Sequence, residues 1–552
     1  MARFDEGFAC DVLTDKTLKS LLEKKHYLHY QKVKNHRAQM SQSLCKAFAK
    51  AIKRWSKSIG ATHHAHCFVC LDNTLRFKRI SFCEVGKNNQ AFFKFDAADL
   101  VGVEVDLSSL PNGGSQTCHK ARGNAVWNPF LQPFALNDDF GGKTVFLPSF
   151  LCDKNGSSMC THLPLERALR ALDRYGSKFL QLTTGSDCGG VECSLGIEQE
   201  YYFLSECEQK ELNNYLLPMG DLVANFGGKI ESVLNKIGIC TKVQHSEVGT
   251  NQYEIVPQFC RANKSCFDNI ILVWIMKKLA AKQNLKISFD EKPCQDQSGS
   301  GKHNNWSIWT RSGKNLFEKT HFNAEIYDFV FACTMAAIDI HSDLISLAAA
   351  CRGNEKRFGQ KEAPTGVVSV CTEQKRKYNR QKAAFYSDFC FDKFATKKYF
   401  GCDIVDLGVD RNRTSPIVFT KNKFEFRHIG ASQNCAFLNT VLATIMAEQF
   451  KEACEVLEKR EDKKAALIEL AKQKRDDHKR IVFCGNCYGR SWKITAKKRG
   501  LFEEKSCLKQ YDNFLSEKNI SLFKQFNVLS IQEMKTLQKE WINQYNATDQ
   551  KI

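Results

Sequence analysis

In the first sixty residues the apolar positions recur at helical spacing. Leu44, Phe48, Ile52, Trp55 and Ile59 share one side of a segment that Gly60 is expected to stop. The pattern then shortens to runs with strand character, Ala65–Val69, Lys78–Phe82 and Ala91–Phe95. They lead to Asp106-Leu-Ser-Ser-Leu-Pro-Asn-Gly-Gly114, whose proline and glycines mark a loop. This reads as a small α+β domain ending near Pro148. A helix opens the next region, with Pro164 in its first turn, Leu165, Leu169 and Leu172 as its apolar stripe and Gly176 as its stop. Strands at Ile197–Leu204, Lys286–Phe289 and Gly366–Cys371 then alternate with helices. One spans Cys266–Leu279, with Phe267, Ile270, Ile271 and Trp274 inward, and another lies around Ala332–Ala350. That alternation suggests an α/β unit. Beyond Gln433 the chain reads as helical, and Ser530 with Glu533 three positions on forms a capping box before Met534, Leu537 and Trp541. The expected division is residues 1–150, 151–432 and 433–552.

A chain of 552 residues is too long for one core. With 43% hydrophobic and 26% charged residues it has the balance of a soluble globular protein, and no apolar run approaches a membrane span. The polar start lacks a secretory signal, which points to the cytoplasm. In that compartment the 25 cysteines are read as reduced thiols, including the Cys67/Cys70 and Cys484/Cys487 pairs, which lie too far apart along the chain to suggest one zinc site. The net charge of +19 raises nucleic acid as a partner. The bases are spread or mixed with acids, as in Glu458-Lys-Arg-Glu-Asp-Lys-Lys464, and no recognition motif accompanies them. A solvated surface facing an anionic substrate is the better reading.

The candidate chemistry lies in four segments. Ser298-Gly-Ser-Gly-Lys-His303-Asn-Asn-Trp-Ser307 has glycines that allow close backbone approach, then an imidazole, amides and a hydroxyl. Strand alternation puts Glu198 and Glu200 on one face. Two solvated acids on an edge strand are the plain alternative, but Ile197, Tyr202 and Phe203 argue for burial, and buried carboxylates need partners. Glu247 and Glu254 bracket a reversal at Gly249 and Asn251, while Glu425 and Arg427 share a face opposite Phe424 and Phe426. Five carboxylates and one imidazole suffice for two divalent cations, and oxygen-rich ligation suits Mg2+ or Mn2+ better than zinc. With Arg411, Arg413 and Arg427 nearby in sequence, the set resembles a two-metal phosphoryl-transfer site, although no Walker-type loop is present.

These residues identify a resemblance to the type III glutamine synthetases. It is carried by Gly196-Ile-Glu-Gln-Glu-Tyr201, Glu247 to Glu254, Glu291-Lys-Pro293, Gly299 to Ser307, Glu362-Ala-Pro364, Asn412-Arg-Thr-Ser-Pro416 and Asn422 to Arg427, with further matches at Gly60–His63, Asp106–Gly114 and His478–Phe483. The resemblance implies an α+β fold in place of α/β. It has a β-grasp-like N-terminal domain, a catalytic domain on a curved antiparallel sheet, and a helical C-terminal region. It also implies active sites between subunits of hexameric rings, stacked as a dodecamer.

By the same resemblance Glu200, Glu247 and Glu254 hold one cation, and Glu198, His303 and Glu425 the other. Arg357, Ser298 and Gly299 meet substrate glutamate, while Asn305 and Ser307 lie near the nucleotide phosphates. Arg413 and Arg427 stabilise the moving phosphoryl group. Asp106 of an adjacent subunit deprotonates ammonium, and Glu362 closes the site. The implied reaction is ATP-dependent formation of glutamine from glutamate and ammonia through γ-glutamyl phosphate. Two departures stand out: Ser298 replaces the family's usual asparagine, and Val248-Gly-Thr250 replaces Val-Ala-Pro. Ser298 keeps open a ligase for another amine or acid, and a catalytically silent scaffold is a further alternative.

Overall fold

The computed structural model describes residues 7–110, 122–138, 142–204, 214–360, 363–372 and 414–547. The amphipathic helix expected near the N-terminus spans Gln42–Ser58, with Leu44, Phe48, Ile52 and Trp55 buried. It covers a six-stranded sheet ordered Leu75–Ser81, His63–Val69, Lys143–Asp153, Arg122–Trp127, Gly102–Asp106, with Phe134–Asn137 also paired to Lys143–Asp153. The strand Lys143–Asp153 runs through the boundary expected near Pro148, because Ser149, Phe150 and Leu151 are the register partners of Trp127, Val126 and Ala125.

The next helix corrects the reading of Gly176. It spans His162–Thr184 and ends at Gly185, which takes the left-handed conformation (φ 70°) that caps helices. Gly176 lies inside it, where a Cβ would press on the Val191 side chain at 3.1–3.3 Å. The glycine lets the helix approach the sheet closely. The helix expected around Ala332–Ala350 also differs: it begins earlier, at Ala324, and breaks at His341 into Ala324–Ile340 and Ser342–Leu347.

Strand and helix alternate as expected, yet the central sheet is antiparallel almost throughout, as in an α+β fold. Seven of its nine strands follow the path Thr241–Ser246, Gln252–Pro257, Val191–Phe203, Lys302–Thr310, Phe424–Phe426, Ile417–Phe419, Val370–Cys371, and only the last pair is parallel. Val191–Phe203 is the spine, since Cys260–Arg261 and Ile287–Ser288 also pair with it. One face carries Leu195, Ile197, Trp306, Phe424 and Phe426 into the main core, which the helices His162–Thr184, Ala324–Ile340 and Ala436–Leu457 complete. The opposite face holds the polar residues described below.

The C-terminal part is helical, as expected. Its last helix, Ile531–Ala547, begins with the capping box: Glu533 Oε2 accepts from Ser530 N–H (2.8 Å) and Ser530 Oγ from Glu533 N–H (3.2 Å). Twenty cysteines among the described residues are free thiols, including Cys67, Cys70, Cys484 and Cys487. No helix among the described residues is long and apolar enough to cross a membrane.

Candidate active site

Sheet register assembles the site. Residues directly opposite across antiparallel strands share a face, and along each strand that face recurs every second residue. His245 pairs with Glu254, Glu254 with Glu200, and Glu198 with His303; Asn305 pairs with both Gly196 and Glu425. Segments up to 227 positions apart (198 to 425) thus place their polar side chains in one band. Gln199, between the two glutamates, turns to the other face and binds Ala431 O and Asn269.

The contacts inside the band are short. His303 Nδ1 lies 2.8 Å from Glu198 Oε2 and 3.9 Å from Glu425 Oε1, and its Nε2 is 3.6 Å from Glu200 Oε1. Asn305 Nδ2 donates to Glu198 Oε1 at 2.9 Å, and Arg427 Nη1 donates to Glu425 at 2.7 Å. Gly301 N–H and Gln252 Nε2 both donate to Glu200 Oε2, at 2.8 and 3.2 Å. His245 Nε2 is 3.1 Å from Glu254 Oε1, and its Nδ1 3.6 Å from Glu247 Oε1.

Burial makes the charge balance severe. It would raise Glu198, but His303, Asn305 and Arg427 outweigh it and hold that carboxyl at about 2. Glu247 and Glu254 go the other way: burial first, then neighbouring carboxylates, push both up against the opposing pull of His245. A group of acids that resists ionisation in the bare protein is one that a cation would stabilise.

Two observations test whether a divalent cation fits. Ligand atoms of Glu198, Glu254 and His303 lie within 4.8 Å of one another, and so do those of His245, Glu247 and Glu254. His303 Nε2 is buried without a hydrogen-bond partner. A buried imidazole nitrogen left open beside carboxylate oxygens suits a metal. The residues fit.

The other expected residues fall into place unevenly. Ser307 follows Asn305 by two on the same strand and accepts from Trp309 Nε1 at 2.7 Å. The Ser298 carbonyl accepts from the Tyr202 hydroxyl (2.7 Å), and the Gly299 carbonyl from Gln252 Nε2 (3.2 Å). Arg357 is buried beneath this glycine turn and donates to Asn354 Oδ1 and to the carbonyls of Arg427, His428 and Ile429. It braces the turn in this conformation, and it runs so close to Gly299 and Gly301 that a Cβ at either position would collide with its side chain. Asp106 is exposed and, among the described residues, accepts from its own turn, from Ser108 N–H and from the Ser108 and Ser109 hydroxyls. Glu362 and Arg413 lie outside the described residues.

Two participants escaped the sequence reading. Gln252 ties Glu200 to Gly299, and His245 joins Glu247 and Glu254. The signal for Gln252 was the strand period, two residues before Glu254; His245 gave none by itself, since Glu247 lies just past the strand Thr241–Ser246.

Known proteins agree with this geometry. Residues 4–168 match the family model for the glutamine synthetase type III N-terminal region, residues 181–334 the glutamine synthetase catalytic domain, and residues 466–550 the glutamine synthetase C-terminal domain. The chain is 31% identical over 539 residues to the type-3 glutamine synthetase of Dictyostelium discoideum, spanning 91% of this chain and 72% of that one. It is 28% identical over 533 residues to the glutamine synthetase of Bacteroides fragilis (strain YCH46), spanning 90% and 72%. The fold is shared with the Plasmodium falciparum glutamine synthetase structure, at a TM-score of 0.60 and 12% identity over 93% of this chain and 98% of that one. With the sheet, the polar band and these relatives in agreement, the chain belongs to the type III glutamine synthetase family.

Proposed function

We propose that this protein is a glutamate–ammonia ligase, which uses ATP to condense L-glutamate with ammonia into L-glutamine through γ-glutamyl phosphate. The observation that carries the reading is the single polar band of the antiparallel sheet, where Glu198, Glu200, Glu254, His303 and Glu425 converge around an open imidazole nitrogen in a chain of this family. The band would hold a pair of divalent cations, Mg2+ or Mn2+, one beside Glu198 and His303 and one beside Glu247 and Glu254. When bound, these cations supply the positive charge that lets a carboxylate and a triphosphate approach each other.

The chain's own residues do the rest. Asn305 and Ser307 continue the band towards the nucleotide phosphates. Arg427, two residues from Glu425, presents a guanidinium to charge developing on the transferred phosphoryl group, aided by Arg413. Ser298 and Gly299 form the turn that receives the substrate amino acid. Arg357 supports that turn, and binds the substrate carboxylate once its backbone bonds open. Asp106 acts across a subunit boundary as the base for ammonium, which accounts for its exposure in the single chain. Glu362 excludes water, which would otherwise hydrolyse the acyl phosphate. We place the site in hexameric rings, paired into a dodecamer, and the protein in the cytoplasm.

The test is an assay of purified protein with ATP, Mg2+, glutamate and ammonium, measuring both phosphate and glutamine. Stoichiometric release of the two is the expected result. Phosphate release that needs a different amine would replace ammonia in the scheme, and no turnover by intact rings would reduce the protein to a scaffold. Asp106→Asn is expected to spare hydroxylamine-trappable acyl phosphate while slowing glutamine formation at least tenfold; equal loss of both would remove Asp106 from the ammonia step.

A further inference from the structure

We infer that a second binding site, for a small organic amine, lies behind the substrate turn. It is a cavity of about 470 Å3 between the N-terminal domain, the segment that supports the turn and the last helix, Ile531–Ala547. None of the polar-band residues lines it; its walls include Leu71 and Asp72, Asp290 and Glu291, and Trp541 and Tyr545. A space of that size suits a small ligand and not a single water.

The polar atoms of the walls select a cationic donor. The lining amides are spent on their neighbours: Gln433 Oε1 accepts from Asn354 Nδ2 and Gly430 N–H, Asn434 Nδ2 donates to Thr161 Oγ1, and Gln544 Nε2 donates to Glu540 and to the Leu71 carbonyl. Of the four carboxylates in the lining, two are answered by arginines, Asp72 by Arg76 (2.9 Å) and Glu533 by Arg167 (2.8 Å). Asp290 and Glu291 are met by neutral donors, the first by the Ser288 hydroxyl (3.1 Å), the second by Ser432 through its N–H (3.1 Å) and its hydroxyl (2.6 Å). A carboxylate has more lone pairs than these contacts use, and an ammonium fills them with the stronger, charge-assisted bond. Another wall is aromatic. Trp541 packs on Phe437 and Tyr511, and Tyr511 on Tyr545, with centroids 4.9–6.5 Å apart. Among the described lining residues Arg352 is the one guanidinium, and it lies 5.6 Å over the Tyr545 ring. Acids beside ring faces that already hold one cation suit an ammonium on an apolar body and disfavour an anion.

Glu291 connects the cavity to the turn. Its carbonyl accepts from Ser300 N–H (2.8 Å), and its side chain packs so tightly on Gly353 and Gly430 that a Cβ at either would collide with it. An amine that draws this carboxylate away from Ser432 loosens the support of the turn, so occupancy weakens glutamate binding. This consequence, unlike the site itself, rests on the glutamate reading above.

The test is calorimetric titration of the full-length protein with phenethylamine, without ATP or divalent metal. The amine is expected to bind once per chain, and phenylacetate, the same ring bearing an anion, at least about tenfold more weakly. Asp290→Asn and Glu291→Gln should each weaken the amine by about tenfold or more, the effect of losing a charge-assisted hydrogen bond. Leu537→Trp, which fills the cavity from the last helix, should abolish binding. Saturating L-glutamate should weaken the amine by about fivefold and no further, the size of a modest coupling between two sites. No saturable binding, phenylacetate as tight as the amine, or unchanged affinity in folded Asp290→Asn and Glu291→Gln proteins overturns the site. Displacement by glutamate without a plateau puts the amine in the substrate turn and overturns it too, while an affinity that glutamate leaves unchanged overturns the coupling. Failure of the ligase reading is separate: the amine would then bind as described, and the protein would make no glutamine.

Discussion

Glu254 lies where three strands bring charge together, with His245 on one side and Glu200 on the other. Its carboxyl belongs to both ligand groups, so loss of its charge touches both. Glu254→Gln, nearly equal in shape, is expected to weaken divalent-cation binding by at least tenfold and to cut turnover below detection. Assembly by sedimentation should be unchanged, because the side chain faces the band and not the core. A turning-over variant would remove Glu254 from the ligand set. Residue identities here were legible in the sequence: acids two apart in a strand, acids flanking a turn, a histidine after glycines. His245 was not, because a single histidine beside a serine carries no pattern until the opposite strand is known.

At the scale of elements, Glu533 shows how one side chain can fix a helix and its neighbours together. Besides closing the box at Ser530, it accepts from Ser158 N–H (2.6 Å) and from Arg167 Nη1 (2.8 Å), and it is almost buried. Glu533→Ala leaves a buried N–H and a guanidinium without their acceptor, a loss expected to cost about 2–4 kcal/mol. Urea denaturation would register it, and a change within error would mean that water replaces the carboxylate at little cost. Gly176 supplies a steric counterpart. Gly176→Leu drives a side chain into Val191 from the middle of the helix His162–Thr184, and overpacking of this kind costs about 1–3 kcal/mol. An equally stable variant would show that the helix can move off the sheet. The capping box could be read directly because its residues are three apart. Gly176 was misread as a stop because close helix–sheet approach and helix termination both select glycine, and only the packing separates them.

Across the whole molecule, buried histidines tie stability to pH. Burial holds His64 and His162 at about 4, below their ordinary 6.5. Between those values the unfolded chain binds protons that the folded chain refuses. Stability is therefore complete above about pH 6.5 and is lost as pH falls towards 4, by up to about 3 kcal/mol for each group. Chemical denaturation at pH 7.5, 6 and 5 should show the decline, and a His64→Gln, His162→Gln double variant should flatten it. An unchanged slope would assign the acid sensitivity to other groups.

The sequence by itself determined which side chains could do chemistry, where the amphipathic helices lie and which family the motifs resemble, because strand alternation, helical periodicity and capping are local relations between near neighbours. Only the tertiary structure decided which strands lie side by side in the central sheet, that His245 joins the acids, that Arg357 is spent on backbone carbonyls, and that the Glu198 and Glu254 carboxyls shift in opposite directions. Each of these depends on which distant strand lies alongside. That is set by register and by the burial of the opposite, apolar face, quantities that no stretch of the chain carries alone.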